Sequence, residues 1–398
     1  MSQQNELTMR PCIVCNKVGF TRVLLGESLA DASDFRDAIE LSTKFLYELA
    51  TCKFCGHNSI QTDNPCLLPT RKHDFIKYGE PTEHYFLISQ VLKSMNIDFN
   101  DTSIHSFSYK DFNLANFLSA QLNVSDVNLV DWLGCSDDWL PTVLADNSFA
   151  DPQPLREFFA EINESKKKNK IVLVTRFFDH VASPDLLQRV ISVASPTVHL
   201  VFDLNDYERL SARGTLEFIW NERRNFFHKD HLEFILARKD QGFSMFAFES
   251  SEVSPTLSGV ISHRLRKNHY ELGPTIPNHL GTDFCVQLTT LRNLWRGKLA
   301  KDHKLAIIGA SHKGISLAQF VLNSQTMYSL HDDKEVLKDK VAPVLPPLGF
   351  HSVSGFDFSE YTHIAITTTL VIAAKIIPKL RSSGYTGEIL DFDCKRLD

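Results

Sequence analysis

Apolar residues recur at helical spacing in some stretches of the chain and crowd into short runs in others. Over 83–95, Phe86, Leu87, Val91 and Leu92 fall on one face, which predicts a helix. A strand and turn are expected at 103–111, then a helix through Leu118 and a short strand at 127–132. Residues 154–162 and 186–194 again carry the helical period. The runs at 171–175 and 198–204 have the length and continuous apolar character of buried parallel strands. A helix over 284–299 leads into an apolar strand, a glycine turn and an amphipathic helix between Lys304 and Phe320. A strand at 363–368, a helix at 371–382 and a strand at 388–391 follow. Strand and helix alternate throughout, which predicts an α/β protein built on doubly wound sheets. The polar, proline-bounded stretch 69–81 reads as a linker, and the expected division is 1–68, 69–270 and 271–398.

Composition narrows the class. The 398 residues are 43% apolar and 23% charged, ordinary values for a globular protein with well-filled cores. A net charge of −6 argues against a nucleic-acid binder. The N-terminus has no basic and apolar leader pattern. No apolar run approaches the roughly 20 residues of a membrane span; the best candidate, 364–377, is broken by threonines and Lys375. Eight cysteines are too few for a disulfide scaffold, so a reduced, cytoplasmic protein is expected.

Four of those cysteines form two pairs with two-residue gaps, Cys12/Cys15 and Cys52/Cys55. This spacing lets a tight knuckle turn both sulfurs toward one ion, and four thiolates complete a closed tetrahedral Zn2+ site. Gly56 supplies backbone freedom at the second knuckle. Cys66 is a spare, and Cys135, Cys285 and Cys394 are expected to be thiols without function. The run Lys166–Lys168 reads as a solvated turn.

In doubly wound sheets, ligands gather at the carboxyl ends of strands, which singles out 106–111, 176–180 and 203–207. Arg176 and His180 leave a strand end together, either as a salt bridge with a packed histidine or as ligand contacts. Glu222, His228 and His231 are candidates for proton transfer, or polar groups of a surface helix. In the tail, Gly309 and Gly314 allow close backbone approach, while Ser311 and Lys313 offer donors suited to a phosphate. The three-glycine dinucleotide fingerprint is incomplete there. Between Ile104 and Phe117, where a nucleotide-type cofactor would rest on glycines, there is no glycine.

The cysteine-pair head, Arg176…Asp179-His180-Val181, Gly309-Ala-Ser-His-Lys-Gly314 and Ser383-Gly-Tyr-Thr-Gly387 together resemble one family. These are the zinc-containing, SAM-dependent C-methyltransferases of nucleotide-linked bacterial deoxysugars. The resemblance implies a zinc-binding module, a central class I methyltransferase-like (Rossmann-type) domain and a C-terminal Rossmann-like α/β domain. It implies that a base removes a proton beside the sugar ketone and that the carbanion takes the methyl group of SAM. It implies substrate contacts at Tyr78, Arg176, Gly309, Ser311, Lys313 and Gly314, with Glu222 and His180 in catalytic positions. The family's glycine-rich SAM loop falls on 104–111, and its Tyr-His-Glu-His run falls on 220–223, where only Glu222 is kept. The expectation is a divergent member that binds a nucleotide-linked sugar, with methyl transfer lost or altered. The alternatives are a working methyltransferase with an unusual SAM pocket, and a pseudoenzyme scaffold with a protein partner or as a homodimer.

Overall fold

The computed structural model describes residues 10–28, 45–62, 82, 84–131, 153–181, 184–219, 223–237, 242–248, 255–265, 283–299, 303–309, 312–322, 327–334, 337, 341–342, 344 and 348–398. Their strands fall into three sheets. The head is an antiparallel sheet of β1 (Phe20–Ser28), β2 (Phe45–Cys52) and β3 (Asn58–Thr62), extended by the two-residue β8 (Asn225–Phe226). β8 lies outside the 1–68 span expected for the head. Asn58 pairs with Phe226 and Ser59 with Asn225, so main-chain hydrogen bonds join the head to the central lobe.

The central sheet runs β5 (Asp126–Asn128), β4 (Thr102–Ser106), β6 (Asn169–Thr175), β7 (Val198–Asn205), β10 (Thr256–Ser262), β9 (Gly242–Phe248). The first four are parallel; β10 is reversed against both β7 and β9. The helices of this lobe are α1 (Tyr85–Ser94), α2 (Phe112–Leu122), α3 (Gln153–Glu164), α4 (Pro184–Ser192), α5 (Tyr207–Ala212) and α6 (Lys229–Ala237). α1 and α2 bury Ile88, Leu92, Leu114 and Leu118 in the same cluster as Ile104, Ile171 and Val201. Phe158, Leu187 and Ile191 are buried in a second cluster, with Val172, Val174 and Phe202. The alternate residues of β6 thus feed different cores, as a strand covered on both faces requires.

β4 departs from the apolar composition of a central parallel strand. All five of its residues are buried, yet four are polar. Ser103 Oγ lies 2.9 Å from His105 Nε2, and His105 Nδ1 lies 3.0 Å from Glu161 Oε1 on α3. Ser103 also meets Ser165 Oγ at 3.0 Å. A closed network of this kind makes buried polar groups tolerable. Replacing His105 with alanine breaks both bonds, although Ser103 keeps Ser165, and a loss of about 1–3 kcal/mol in urea unfolding is expected. An unchanged midpoint would contradict that account of the strand.

The tail sheet runs β13 (Val341–Ala342), β14 (Leu348–His351), β12 (Met327–His331), β11 (Lys304–Ile308), β15 (His363–Ile366), β16 (Glu388–Leu390), all parallel except the β13–β14 pair. The order reverses at β11, as in a doubly wound fold, and places a switch point between β11 and β15. α7 (Phe284–Lys298) and α9 (Leu370–Ser382) are close to their expected bounds. The amphipathic helix after β11 is short: α8 (His312–Ser316) passes directly into a π-turn at Leu317–Val321. Among the described residues no helix is long and apolar enough to cross a membrane.

Candidate metal centre and ligand cleft

β1 and β2 pair so that Phe20 opposes Cys52, which brings the residues before β1 beside the β2–β3 turn. Each of these two segments is a knuckle closed in the same way. The Asn16 N–H donates to Cys12 O at 2.8 Å, and Gly56 N–H to Cys52 O at 2.9 Å. Cys12 N–H donates to Lys17 O, and Cys52 N–H to His57 O. The residue after the second cysteine is left-handed in both, Asn16 at φ 57° and Gly56 at φ 71°. Asparagine tolerates that conformation better than other non-glycine residues, which makes Asn16 a readable signal.

The sulfurs of Cys12, Cys15, Cys52 and Cys55 lie within 4.8 Å of one another. Two of their separations, Cys12–Cys55 and Cys15–Cys52, are 3.6 Å. Tetrahedral Zn–S bonds of about 2.3 Å place sulfurs about 3.8 Å apart, so the cluster fits a zinc-sized ion. The thiols also distribute charge unevenly. Hydrogen bonding with Cys12 foremost holds Cys52 well below the ordinary thiol range and pushes Cys55 far above it. Four sulfurs this close accept four ionisations only around a cation. Such a set closes the coordination sphere and holds structure together rather than presenting an open catalytic position. Around it, His231 Nε2 is 2.9 Å from Cys55 O, and Cys285 Sγ donates to Leu49 O at 3.3 Å as a core thiol.

Behind β4, the turn expected to cradle a methyl donor is filled. Asp111 Oδ2 accepts from the N–H groups of Phe107 and Ser108, both at 2.8 Å, and Oδ1 accepts from Thr175 N–H at 2.7 Å. Phe107 is buried with its ring 5.1 Å from Phe158 and 5.0 Å from Phe177. The amides of this turn are thus bonded to the chain's own Asp111. Ser108 and Asp111 form a capping box, a signal that the Ser-x-x-Asp spacing carries.

After β6, Arg176 stands at φ 58°, an uncommon conformation for a residue with a side chain. Its Nη1 donates to Asn205 Oδ1 at 2.6 Å, and its Nε lies 3.4 Å from Asp203 Oδ1. His84 Nε2 meets Asp203 Oδ2 at 3.1 Å. Burial opposes the Asp203 charge, yet Arg176 and His84 outweigh it and hold the carboxyl below its usual value. Arg176 is therefore engaged as a brace between β6 and β7. His180 is buried nearby, its N–H bonded to Phe177 O. His228 and His231, read as surface or proton-transfer groups, are buried, His228 just before α6 and His231 within it. Tyr78, Glu222 and Ser311 lie outside the described residues.

In the tail, Gly309 is at φ +86°, and a Cβ there would stand 2.3 Å from Thr368 Cγ2. A Cβ on Gly314 would meet Gly309 O at 2.8 Å. Both glycines serve close packing of β11, α8 and the loop after β15. Replacing Gly309 with alanine combines a left-handed φ with a steric clash, and a loss of about 2–4 kcal/mol is expected by calorimetric melting. Lys313 Nζ reaches across to Glu217 Oε1 at 2.9 Å, tying the tail to the central lobe. Beside it, burial and then the charges of Lys313, Arg223, Lys334 and Lys110 hold His312 neutral. These charges come from both the central and the tail lobes.

Burial sets the response to pH. His199, His228 and His331 are pushed down to about 4, 3 and 4, and Asp111, Asp179 and Asp393 up to about 6. The histidines lose stability as pH falls below their ordinary value of about 6.5. The aspartates do the reverse, because their folded forms hold the extra proton between the ordinary carboxyl value and about 6. These two sets nearly cancel. His57, His231, His312 and His363 are lowered too, and they tip the balance. The melting temperature is expected to be lower at pH 5 than at pH 7; a higher value at pH 5 would show that the carboxyls dominate.

No family model matches the chain. No curated protein matches it either. Among solved structures, aspartate semialdehyde dehydrogenase II complexed with ASA, from Vibrio cholerae, is 18% identical over 23% of this chain and 30% of that one, with a TM-score of 0.19. The chain thus spans under a third of that protein's length, and a likeness this slight carries no argument.

Proposed function

We propose that the chain is a divergent relative of the SAM-dependent sugar C-methyltransferases that binds a nucleotide-linked sugar, with methyl transfer lost or altered. It would act in bacterial sugar-nucleotide, surface-polysaccharide or natural-product metabolism. The central sheet supports this reading: one reversed strand, β10, stands between β7 and the outer β9, as the class I methyltransferase fold implies. The four-cysteine cluster supports it as well. The filled turn at Phe107 and Asp111 is the reason to expect a failed donor site.

The ligand assignment rests on the charges of Lys313, Arg223, Lys334 and Lys110, drawn from two lobes, that act on the buried His312. In a chain of net charge −6, a locally positive field of this kind favours an anion. A diphosphate is the anion that the sugar-nucleotide reading requires, and arginine gives such a group directional contacts that lysine does not. Calorimetric titration of the zinc-loaded chain with dTDP and UDP tests this reading. Micromolar binding that weakens with salt is expected, and Lys110→Ala and Arg223→Ala should each weaken it by about tenfold. Absence of binding to either nucleotide would refute the assignment.

A further inference from the structure

One side chain joins the metal knuckle to the carboxyl end of the central sheet. Asn225, in β8, is buried. On one side its Oδ1 lies 3.3 Å from Nε2 of His57, the residue whose carbonyl accepts from Cys52 N–H to close the second knuckle. On the other side its Nδ2 donates to the carbonyls of Phe178 and Val181, at 3.3 and 2.5 Å. The Asp179 carbonyl between them accepts from the N–H groups of Arg224 and Asn225, at 2.7 and 3.0 Å. A carboxamide accepts with one end and donates with the other, which a carboxylate cannot do.

The head sheet in turn holds Arg224 and Asn225. Ser59 pairs with Asn225 and Asn58 with Phe226, and Ile60 N–H donates to Arg224 O at 3.0 Å. β8 is two residues long, so its place depends on β3, which begins directly after the second knuckle. His231 Nε2, 2.9 Å from Cys55 O, fixes α6 to the same knuckle. The loop held at the far end follows Arg176, whose φ of 58° persists only while its surroundings impose it. In parallel sheets, ligands gather at this end of the strands.

We propose that the metal centre sets the order of the loop between β6 and α4, with His57 and Asn225 as positioning residues. With the ion bound, four sulfurs fix the knuckle, His57 orients the Asn225 amide, and the amide holds the carbonyls of the loop. Without the ion the knuckle loosens and the loop opens, while the tail sheet, which shares no strand with the head, keeps its structure. Metal supply thereby regulates the ligand end of the central sheet. Coupling of this kind is reciprocal, so a chain whose loop is released holds zinc less tightly by the same factor. It does not depend on which ligand the chain binds.

Hydrogen exchange of the full chain, zinc-loaded and after chelation, tests this by mass spectrometry. In the wild type, removal of zinc is expected to speed exchange across 176–181 by at least about tenfold, the size of one buried hydrogen bond. The tail strands 304–308 and 363–366 should keep their protection. Asn225→Asp keeps the size of the side chain and an acceptor for His57, but it sets a carboxylate against two carbonyls. It should retain about one zinc per chain, exchange 176–181 rapidly with and without zinc, and lose about tenfold in zinc affinity against a competing chelator. His57→Phe keeps a ring beside Phe227, 5.0 Å away in the wild type, and removes the bond to Asn225. It should show the same pattern, and it decides the matter if Asn225→Asp does not fold. Exchange at 176–181 that ignores zinc in the wild type, a wild-type zinc dependence kept in either folded variant, or a loss of protection in the tail strands as large as in the loop would overturn the inference.

Discussion

Replacing Cys52 with serine is expected to strip the metal and unfold the head. Wild-type protein should carry about one zinc per chain by elemental analysis, and the variant almost none. Structural four-sulfur sites contribute apparent free energies on the order of 10 kcal/mol, comparable to the whole stability of a domain. Cys52 is both the last residue of β2 and the opening of the second knuckle, so its loss frees two ends at once. The damage should spread. β3 carries β8 from the central lobe, and His231 rests on Cys55 O. A cooperative fall in melting temperature is therefore expected, together with rapid proteolysis of 10–62. Unchanged metal content and unchanged melting would refute the site.

The second large effect belongs to Asp111. Alanine there orphans the buried N–H groups of Phe107, Ser108 and Thr175 together. At about 1–3 kcal/mol for each buried unsatisfied donor, a loss of about 3–6 kcal/mol is expected. Relief of a desolvated carboxyl, raised to about 6 by burial, offsets part of that loss. Asparagine is the sharper comparison. Its oxygen can serve Phe107 and Ser108, but its amide then faces the Thr175 N–H donor to donor. Asp111→Asn should therefore cost less than alanine but still more than about 1 kcal/mol in urea unfolding. If both variants unfold like the wild type, the carboxylate does not organise the turn.

The parts of the structure that sequence made legible rest on local chemistry. Two cysteine pairs announce a metal knuckle wherever they fold, and α1, α7 and α9 carry their periodicity in their own residues. β8 could not be read this way, because two residues, Asn225 and Phe226, become a strand only beside β3. The strand at β4 was expected from its place in the chain, but not how its buried serines and histidine are satisfied, since Glu161 and Ser165 come from a distant helix and its end. Gly309 was legible as a turn but not in its purpose. The space it leaves is filled by Thr368, which comes from the other side of the switch point. Between Ile104 and Phe117 the sequence shows only that no glycine stands at the turn. That a carboxylate and a phenylalanine occupy it follows only from the fold.

The proposed function requires that the turn at Phe107 and Asp111 reject the methyl donor while Lys110 and Arg223 help to hold an anion. Isothermal calorimetry of the zinc-loaded chain with SAM tests that claim most directly. No heat of binding at millimolar SAM is predicted, from a sample that binds dTDP or UDP in the micromolar range. Micromolar binding of SAM by the same sample would contradict it.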